Sequence, residues 1–286
     1  MASMRSLLAA LPIRRFRNPP PLVPVVRLEG VIGRGRTGRG QGLSLADMAG
    51  PIQKAFAIDD APAVAIIINS PGGSPVQSAL IARRIRDLSE EKKKPVLAFV
   101  EDVAASGGYW LACAADEIFA DNSSIVGSIG VIAATFGLSD LIDRWGIERR
   151  VYTAGERKLM LDPFQPEKEA DVARVKDLQQ RIHRDFIAHV QSRRGDKLIG
   201  TPEHLFNGDI WVGQEAQDLG LIDGIGHLRP ILRERFGDKV KMKVFGPQRG
   251  LLRRFGLMDS AAIGQAAIGG ALASMEERAL WQRYGL

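Results

Sequence analysis

Two apolar runs, each followed by a turn of small residues and then by a helical pattern, constrain the fold of this chain most strongly. Ala63–Asn69 reads AVAIIIN and leads into SPGGS at 70–74, and Pro95–Val100 reads PVLAFV and leads into AASGG at 104–108. Continuous β-branched and apolar runs are typical of strands covered on both faces. An amphipathic helix is predicted over Val76–Lys92, and a shorter apolar helix after the second turn. Such strand–turn–helix units predict an α/β layered fold with a mostly parallel sheet and flanking helices.

The rest of the chain continues this alternation. Further strands are predicted at Leu22–Leu28, Glu117–Ala120, Ile129–Ala133 and Glu148–Tyr152, and further helices at Leu138–Trp145 and Pro166–Arg194. We divide the 286 residues into a basic Arg/Pro-rich arm (1–21), one α/β domain (22–246) and a C-terminal helical extension (247–286). A chain of this length is ample for a substantial core.

The basic charge of the chain is confined to its first residues. The net charge is +6, but residues 1–42 hold eight arginines and one acid, so the remainder is close to neutral. An arginine-rich arm favours anionic lipid, RNA or an acidic partner, or is simply a solvated terminus. We expect peripheral contact with an anionic membrane through this arm, and no nucleic-acid function for the body of the protein.

Targeting signals are weak in this sequence. The apolar stretch Leu7–Ile13 contains a proline and is far shorter than the roughly 18 residues that span a bilayer. Ser260–Ser274 is uncharged but short and built largely from alanine and glycine, which predicts a packing or interfacial helix. We therefore expect a cytoplasmic, membrane-peripheral protein without a signal peptide or transmembrane span.

No motif in the sequence predicts a cofactor or a metal. Residues 33–38 match G-x-G-x-x-G, but the loop stays polar and does not open an apolar helix, so a flexible surface loop is the better interpretation. His183 and His189 lie six residues apart on a predicted helix and project in different directions, so they cannot share a metal. The single cysteine, Cys113, excludes an internal disulfide and is predicted to be a small core residue.

The turn around Ser106 carries the first candidate for catalysis. Ser106 lies between two alanines and two glycines at a predicted strand-to-helix junction, where a substrate carbonyl can approach its hydroxyl. The N–H of Gly107 opens the helix and is free to donate, and Gly73 in the other turn offers a second N–H. Two such donors form an oxyanion hole, each worth about 2.7–4 kcal/mol in acyl transfer. The alternative is a serine N-cap with glycines that permit tight packing.

A serine nucleophile requires a base, and none of the four histidines lies in a glycine-bounded turn. The usual substitute is a neutral lysine. Lys158 is the only lysine between Lys94 and Lys168, and apolar residues follow it. A free lysine has a pKa of about 10.4, so a lysine base needs burial or nearby positive charge to lower its pKa by about 3.4. A solvated surface lysine remains the alternative.

Taken together, these motifs resemble the signal peptide peptidase SppA family. The matching strings are IIINSPGGSPVQSALIARRI, VEDVAASGGYWLACAADEIFADNSSIVGSIGVI, the lysine in AGERK, and NGDIWVGQEAQDLGLIDGIG, which occur in family order over about residues 63–226. Members of the family are membrane-associated serine proteases with a Ser-Lys dyad on the Clp protease/crotonase fold. The resemblance implies a single-copy, half-length form and a Ser-Lys peptidase domain over 22–246.

The resemblance also implies a role for each motif residue. It makes Ser106 the nucleophile, Lys158 the general base, Ser128 the hydroxyl that orients the amine, and Gly73 and Gly107 the oxyanion donors. The implied partners are peptide substrates, such as cleaved signal peptides and membrane-protein fragments, and further copies of the chain. In half-length members the dyad is completed between neighbouring subunits, so an obligate homo-oligomer is expected. No cofactor or metal is implied.

Two other functions fit the same fold. A non-catalytic peptide-binding scaffold would keep the oligomer with a lapsed dyad, but the presence of Ser106, Lys158 and Ser128 together argues against it. An acyl-CoA enzyme of crotonase type uses a similar pair of N–H donors, but usually places carboxylates at the reacting centre. Here serines flank the glycine turns instead.

Overall fold

The computed structural model describes residues 19–33, 43–155, 157–246 and 278–285. The strands are β1 (Leu22–Glu29), β2 (Val64–Ser70), β3 (Val96–Ala105), β4 (Glu117–Ala120), β5 (Ile125–Gly127), β6 (Ile210–Val212), β7 (Gly224–Ile225) and β8 (Lys241–Phe245). The helices of 22–246 are α1 (Leu45–Phe56), α2 (Pro75–Lys92), α3 (Gly107–Ala112), α4 (Ser139–Arg144), α5 (Glu169–Arg194), α6 (Pro202–Leu205), α7 (Gly213–Asp218) and α8 (Leu228–Phe236).

The strands form one eight-stranded, mostly parallel sheet. Its main path runs β6-β5-β3-β2-β1-β8, and β4 and β7 continue from the first half of β3. The strand pairs are parallel except β5 with β6. The predicted layered α/β fold with a mostly parallel sheet is therefore confirmed.

Both faces of the sheet are covered, which explains the continuous apolar run in β2. Ile66 and Ile68 face the larger core, built with α1, α2, α3 and α5. Ala65 and Ile67 face a smaller core that includes Leu232 of α8. Because side chains alternate between faces along a strand, a strand buried on both sides has no polar positions to alternate with.

The predicted strands at Ile129–Ala133 and Glu148–Tyr152 are wrong. The chain leaves the sheet at Gly127 and Ser128, both of which have positive φ, and the strand of this region is β5, just before them. Within the described residues, neither 131–137 nor 148–154 makes a hydrogen bond to other backbone. Their β-type sequence therefore has no partner strand among the described parts of the chain.

Side chains of the long helix α5 form hydrogen bonds to α3, to the segment after β5 and to the loop before β7. His183 and His189 donate from Nε2 to the carbonyls of Ile129 and Trp110, at 2.9 and 3.0 Å. The Arg194 side chain, 2% exposed, donates to Asp223. Burial lowers the pKa of His189, so this ring is neutral at pH 7 and acts as a structural donor.

Cys113 is fully buried, as expected of a small core residue. Burial raises the pKa of its thiol to about 12, so the sulfur is protonated at neutral pH and is not a nucleophile. Among the described residues there is no group of three or more histidine, cysteine or acidic side chains that could hold a metal ion.

Several predictions concern residues that the structure does not describe. The basic arm falls almost entirely outside the described residues, as do the loop at 34–42 and most of the extension at 247–286. Their predicted roles stay predictions. None of the described helices has both the length and the apolar character needed to cross a membrane.

Candidate active site

Ser106 lies in a strained turn between β3 and α3. Its backbone has φ 53° and ψ −122°, a region that residues other than glycine rarely occupy, and its N–H donates to Gly127 O at 2.8 Å. The Ser106 side chain makes no capping hydrogen bond to the helix it precedes. The hydroxyl is therefore not used as an N-cap. Strained turns of this kind, from a strand into a helix, present nucleophilic serines in hydrolases.

The glycine turn after β2 lies against this serine. Ile32 N donates to Gly72 O at 2.8 Å and Ser74 N donates to Ile32 O at 2.7 Å, which is the pattern of a parallel bridge centred on Gly73. In such a bridge the N–H of the central residue points away from the partner. Among the described residues, the N–H of Gly73 has no backbone acceptor.

Gly107 provides the second free N–H. As the first residue of α3 it has no acceptor within the helix, and no backbone acceptor is found elsewhere in the described chain. A side chain at Gly107 would place its Cβ 3.4 Å from Gly73 N and 2.4 Å from the Ser78 hydroxyl. The two N–H groups are thus neighbours beside Ser106, and close packing requires glycine at this position.

Replacing Gly73 with alanine is expected to damage both stability and the site. The new Cβ would lie 2.1 Å from Ile32 O, and the φ of Gly73, +141°, is itself unfavourable for alanine. We expect the free energy of unfolding to fall by roughly 1–3 kcal/mol, as for other overpacked sites. Urea unfolding and the rate of labelling by a fluorophosphonate probe measure the two effects.

Gly246→Ala is the matched control, because nothing lies within 4 Å of that Cβ and its φ is not positive. It should leave both measurements unchanged. Wild-type stability together with a wild-type labelling rate in Gly73→Ala would show that the close approach of the turn to Ile32 is not needed.

Ser128 lies next to Ser106 in the register of the sheet. Ala105 of β3 pairs with Gly127 of β5, so the two serines follow directly at the carboxyl ends of adjacent parallel strands. Ser128 also has a positive φ, 51°, and its N–H donates to Asp209 O at 2.6 Å. Tyr284 donates from its hydroxyl to Ser128 Oγ at 3.4 Å. A hydroxyl both donates and accepts, so Ser128 keeps capacity for another partner.

Lys158 is not joined to the two serines in the single chain. Its side chain is exposed, and no hydrogen bond connects its amine to Ser106 or Ser128 among the described residues. The structure thus gathers Ser106, Ser128, Gly73 and Gly107 at one edge of the sheet. It leaves the lysine in the loops that follow α4.

The loops that contain Lys158 expose several large apolar side chains. We call residues 131–165 the lysine segment. Phe136, Trp145 and Tyr152 are 81%, 75% and 90% exposed. The full set of large, exposed apolar side chains in this segment is Ile132, Phe136, Leu141, Trp145, Ile147, Val151 and Tyr152. This concentration of exposed apolar side chains within one segment is a feature of protein-binding surfaces.

Two features near the site were not predicted from the sequence. Asn69 lies at an irregularity in the pairing of β2 with β3, and its side chain accepts from Val103 N shortly before the turn at Ser106. Tyr284 reaches Ser128 from the C-terminal extension. The sequence placed Asn69 at the end of a predicted strand and gave no sign of the irregularity, and no local pattern could have paired Tyr284 with a residue 156 positions away.

The chain is similar to a known family of peptidases. The sequence profile of Peptidase family S49 matches residues 89–239, more than half of the chain, and includes Ser106, Ser128 and Lys158. A solved structure of a mutant of the 1510-N membrane-bound stomatin-specific protease aligns with TM-score 0.47 and 16% identity, over 81% of this chain and all of that one.

Curated relatives extend the similarity over the whole chain. The "Na(+)/H(+) antiporter NhaA" of Brucella abortus is 56% identical over 292 residues, covering 99% of this chain and 40% of that protein. "Serine protease SPPA, chloroplastic" of Arabidopsis thaliana is 37% identical over 170 residues, covering 58% and 24%. The chain thus spans less than half the length of either relative. On the strength of the profile match, the chain belongs to Peptidase family S49.

Proposed function

We propose that this protein is a serine endopeptidase that uses Ser106 as nucleophile and Lys158 as general base. The observation that carries the proposal is the turn at Ser106: a strained backbone, a hydroxyl without a capping role, and two neighbouring N–H groups without backbone acceptors in the described chain. Unpaired N–H groups beside a presented serine are what acyl transfer requires. Membership of Peptidase family S49 supports the same chemistry.

In the proposed mechanism Lys158 acts as a neutral amine. One of its N–H groups donates to Ser128 Oγ, which turns the nitrogen lone pair toward Ser106. The amine takes the Ser106 proton as Oγ attacks the peptide carbonyl carbon. The resulting oxyanion accepts hydrogen bonds from Gly73 and Gly107 N–H.

The tetrahedral intermediate then collapses to an acyl-enzyme. The ammonium of Lys158 gives its proton to the leaving amine, and the C–N bond breaks. Water enters, the neutral lysine takes its proton, and the hydroxide adds to the ester carbonyl. The bond between the carbonyl carbon and Ser106 Oγ then breaks, the ammonium of Lys158 returns its proton to that oxygen, and the carboxylic acid leaves. These steps are balanced by protein groups and water and call for no metal or nucleotide.

We further propose that Lys158 reaches Ser106 of a neighbouring subunit in a homo-oligomer. Two observations support this. Lys158 is exposed and unconnected to either serine in the single chain. The lysine segment around it also combines exposed apolar side chains with backbone at 131–137 and 148–154 that has no backbone partner among the described residues. Contact with another subunit would bury the apolar side chains and give this backbone hydrogen-bond partners. It would also remove water from the amine of Lys158, which favours its neutral form.

The proposed substrates are unfolded or apolar peptides, such as cleaved signal peptides and membrane-protein fragments. An extended chain can place a carbonyl against the N–H of Gly73, because that N–H has no backbone acceptor among the described residues. A folded substrate would have to open locally to reach the turn. The resemblance of the motifs to the SppA family supports this substrate class, and the Arabidopsis relative is itself named a serine protease.

Dilution tests the proposal as a whole. The purified chain should cleave a quenched fluorescent, unfolded peptide, and the rate per subunit should fall when dilution dissociates the oligomer followed by analytical ultracentrifugation. A chelator should not change the rate. Binding of the peptide without cleavage at every concentration would favour a non-catalytic scaffold. A fully active monomer would refute the shared dyad while leaving Ser106 as nucleophile.

A further inference from the structure

Strand β3 changes partner midway, just before the turn at Ser106. Its first half, Leu97–Val100, pairs with β4, and its second half, Val103–Ala105, pairs with β5. Between the two halves the register with β2 shifts: Ile68 pairs with Val100, but Ser70 pairs with Ala104. Three residues of β3 therefore oppose one residue of β2. This is a bulge, and bulges re-aim the strand that contains them.

The single residue of β2 opposite the bulge is Asn69. The regular backbone pairing of β2 with β3 is interrupted at this residue, and the Asn69 side chain forms two hydrogen bonds to β3 in its place. Val103 N donates to Asn69 Oδ1 at 3.3 Å, and Asn69 Nδ2 donates to Asp102 Oδ2 at 2.7 Å. An amide is suited to this position because it both accepts and donates, whereas a carboxylate only accepts.

Glu101, the first residue of the bulge, is also held by neighbouring elements. Arg27 of β1 donates to both carboxylate oxygens of Glu101, at 3.0 and 2.6 Å. The buried hydroxyl of Ser124, just before β5, donates to Glu101 O. The salt bridge from Arg27 and the hydrogen bond from Ser124 therefore both hold Glu101, the first residue of the bulge.

The bulge decides where the two serines lie. Directly after it, Ala105 pairs with Gly127, and Ser106 N donates to Gly127 O at 2.8 Å. The bulge lies between the part of β3 that pairs with β4 and the part that pairs with β5, so its residues set where Ser106 stands relative to Ser128. The register past the bulge is therefore a condition for the proposed catalytic arrangement.

We infer that Asn69 is a positioning residue for Ser106. It acts through the bulge of β3 and does not touch the substrate. The inference rests on the proposed function, since it concerns the rate at which Ser106 is acylated. A small displacement of the nucleophile is sufficient to slow the reaction, because misplacement by about 1 Å costs on the order of 100-fold.

A charge-swap experiment tests this inference. Asn69→Asp keeps the size of the side chain but sets a carboxylate against Asp102 at a 2.7 Å contact. We expect the rate of fluorophosphonate labelling of Ser106 and kcat to fall roughly 10- to 100-fold, with KM changed little. In the double variant N69D/D102N the new amide donates to the new carboxylate, which still accepts from Val103. Both rates should return to within about threefold of wild type.

Asp102→Asn alone is the matched control and should stay close to wild type, because Asn69 can still donate to the amide oxygen. If Asn69→Asp does not fold, Asp102→Ala, at an exposed position, removes one anchor of Asn69 and should slow labelling about fivefold, the equivalent of one hydrogen bond. Circular dichroism and sedimentation are measured for every variant.

The outcomes separate the inference from the proposed function. Reciprocal rescue with unchanged fold and assembly supports the positioning role. Full labelling in Asn69→Asp, or a loss that N69D/D102N does not recover, overturns it. If wild-type protein is not labelled at Ser106 at all, Ser106 is not the nucleophile, and this result contradicts the proposed function itself and is distinct from a failure of Asn69 to position Ser106.

Discussion

Ser106→Ala is expected to abolish labelling by a fluorophosphonate probe and to reduce peptide hydrolysis on the order of 10⁵-fold. The substitution removes the atom that forms the acyl bond. It leaves the strained turn, which is held through backbone contacts such as Ser106 N to Gly127 O. Mass spectrometry of the labelled wild-type protein should place a single adduct on the peptide that contains Ser106.

Substitutions at two other serines serve as controls for the assignment of Ser106. Ser123 is exposed in the turn before β5, and Ser123→Ala should label and cleave as wild type does. Ser128→Ala should still label, but more slowly, because the proposed role of that hydroxyl is to orient the amine. Undiminished labelling of Ser106→Ala, or an adduct on Ser128, would show that the nucleophile is misassigned.

The elements that position Ser106 were predictable from the sequence. The apolar run before SPGG predicts β2 to within a residue at each end, and the run before AASGG predicts where β3 begins. Both predictions succeed because a strand buried on two faces is continuous in apolar residues, and because small residues mark the turns at the carboxyl edge. The register that brings Ser106 beside Ser128 was not predictable, since a bulge leaves no periodic signal.

In and just before the lysine segment, the sequence predicted strands that the structure does not contain. Ile129–Ala133 and Glu148–Tyr152 have the composition of strands, yet neither is a strand in the single chain. Strand propensity measures how well a side chain fits a half-buried, pleated surface, and the described residues of this chain offer no such surface to these two segments. A sequence pattern cannot say whether the surface comes from the same chain or from another. The exposed Ile132 and Tyr152 are consistent with a surface supplied by a second copy.

Complementation between two inactive variants is the strongest test of the shared dyad. Lys158→Met should lower hydrolysis by about 10³-fold or more, because the nucleophile loses its base. Co-expression of equal amounts of Ser106→Ala and Lys158→Met chains, purified through two different tags, should restore activity. In the proposed ring each site takes its serine from one subunit and its lysine from the next, so at least about a quarter of the sites in the doubly purified assemblies hold both groups.

The mixture distinguishes a dyad formed within one chain from a dyad shared between two chains. If Lys158 served Ser106 of its own chain, no subunit in the mixture would carry both groups and activity would stay at background. A mixture of Ser106→Ala with the double variant S106A/K158M should also stay inactive, because no serine nucleophile is present. Recovery in the first mixture alone therefore requires an amine that crosses from one subunit to the next. That is what the exposure of Lys158 and of the apolar side chains around it leads us to expect.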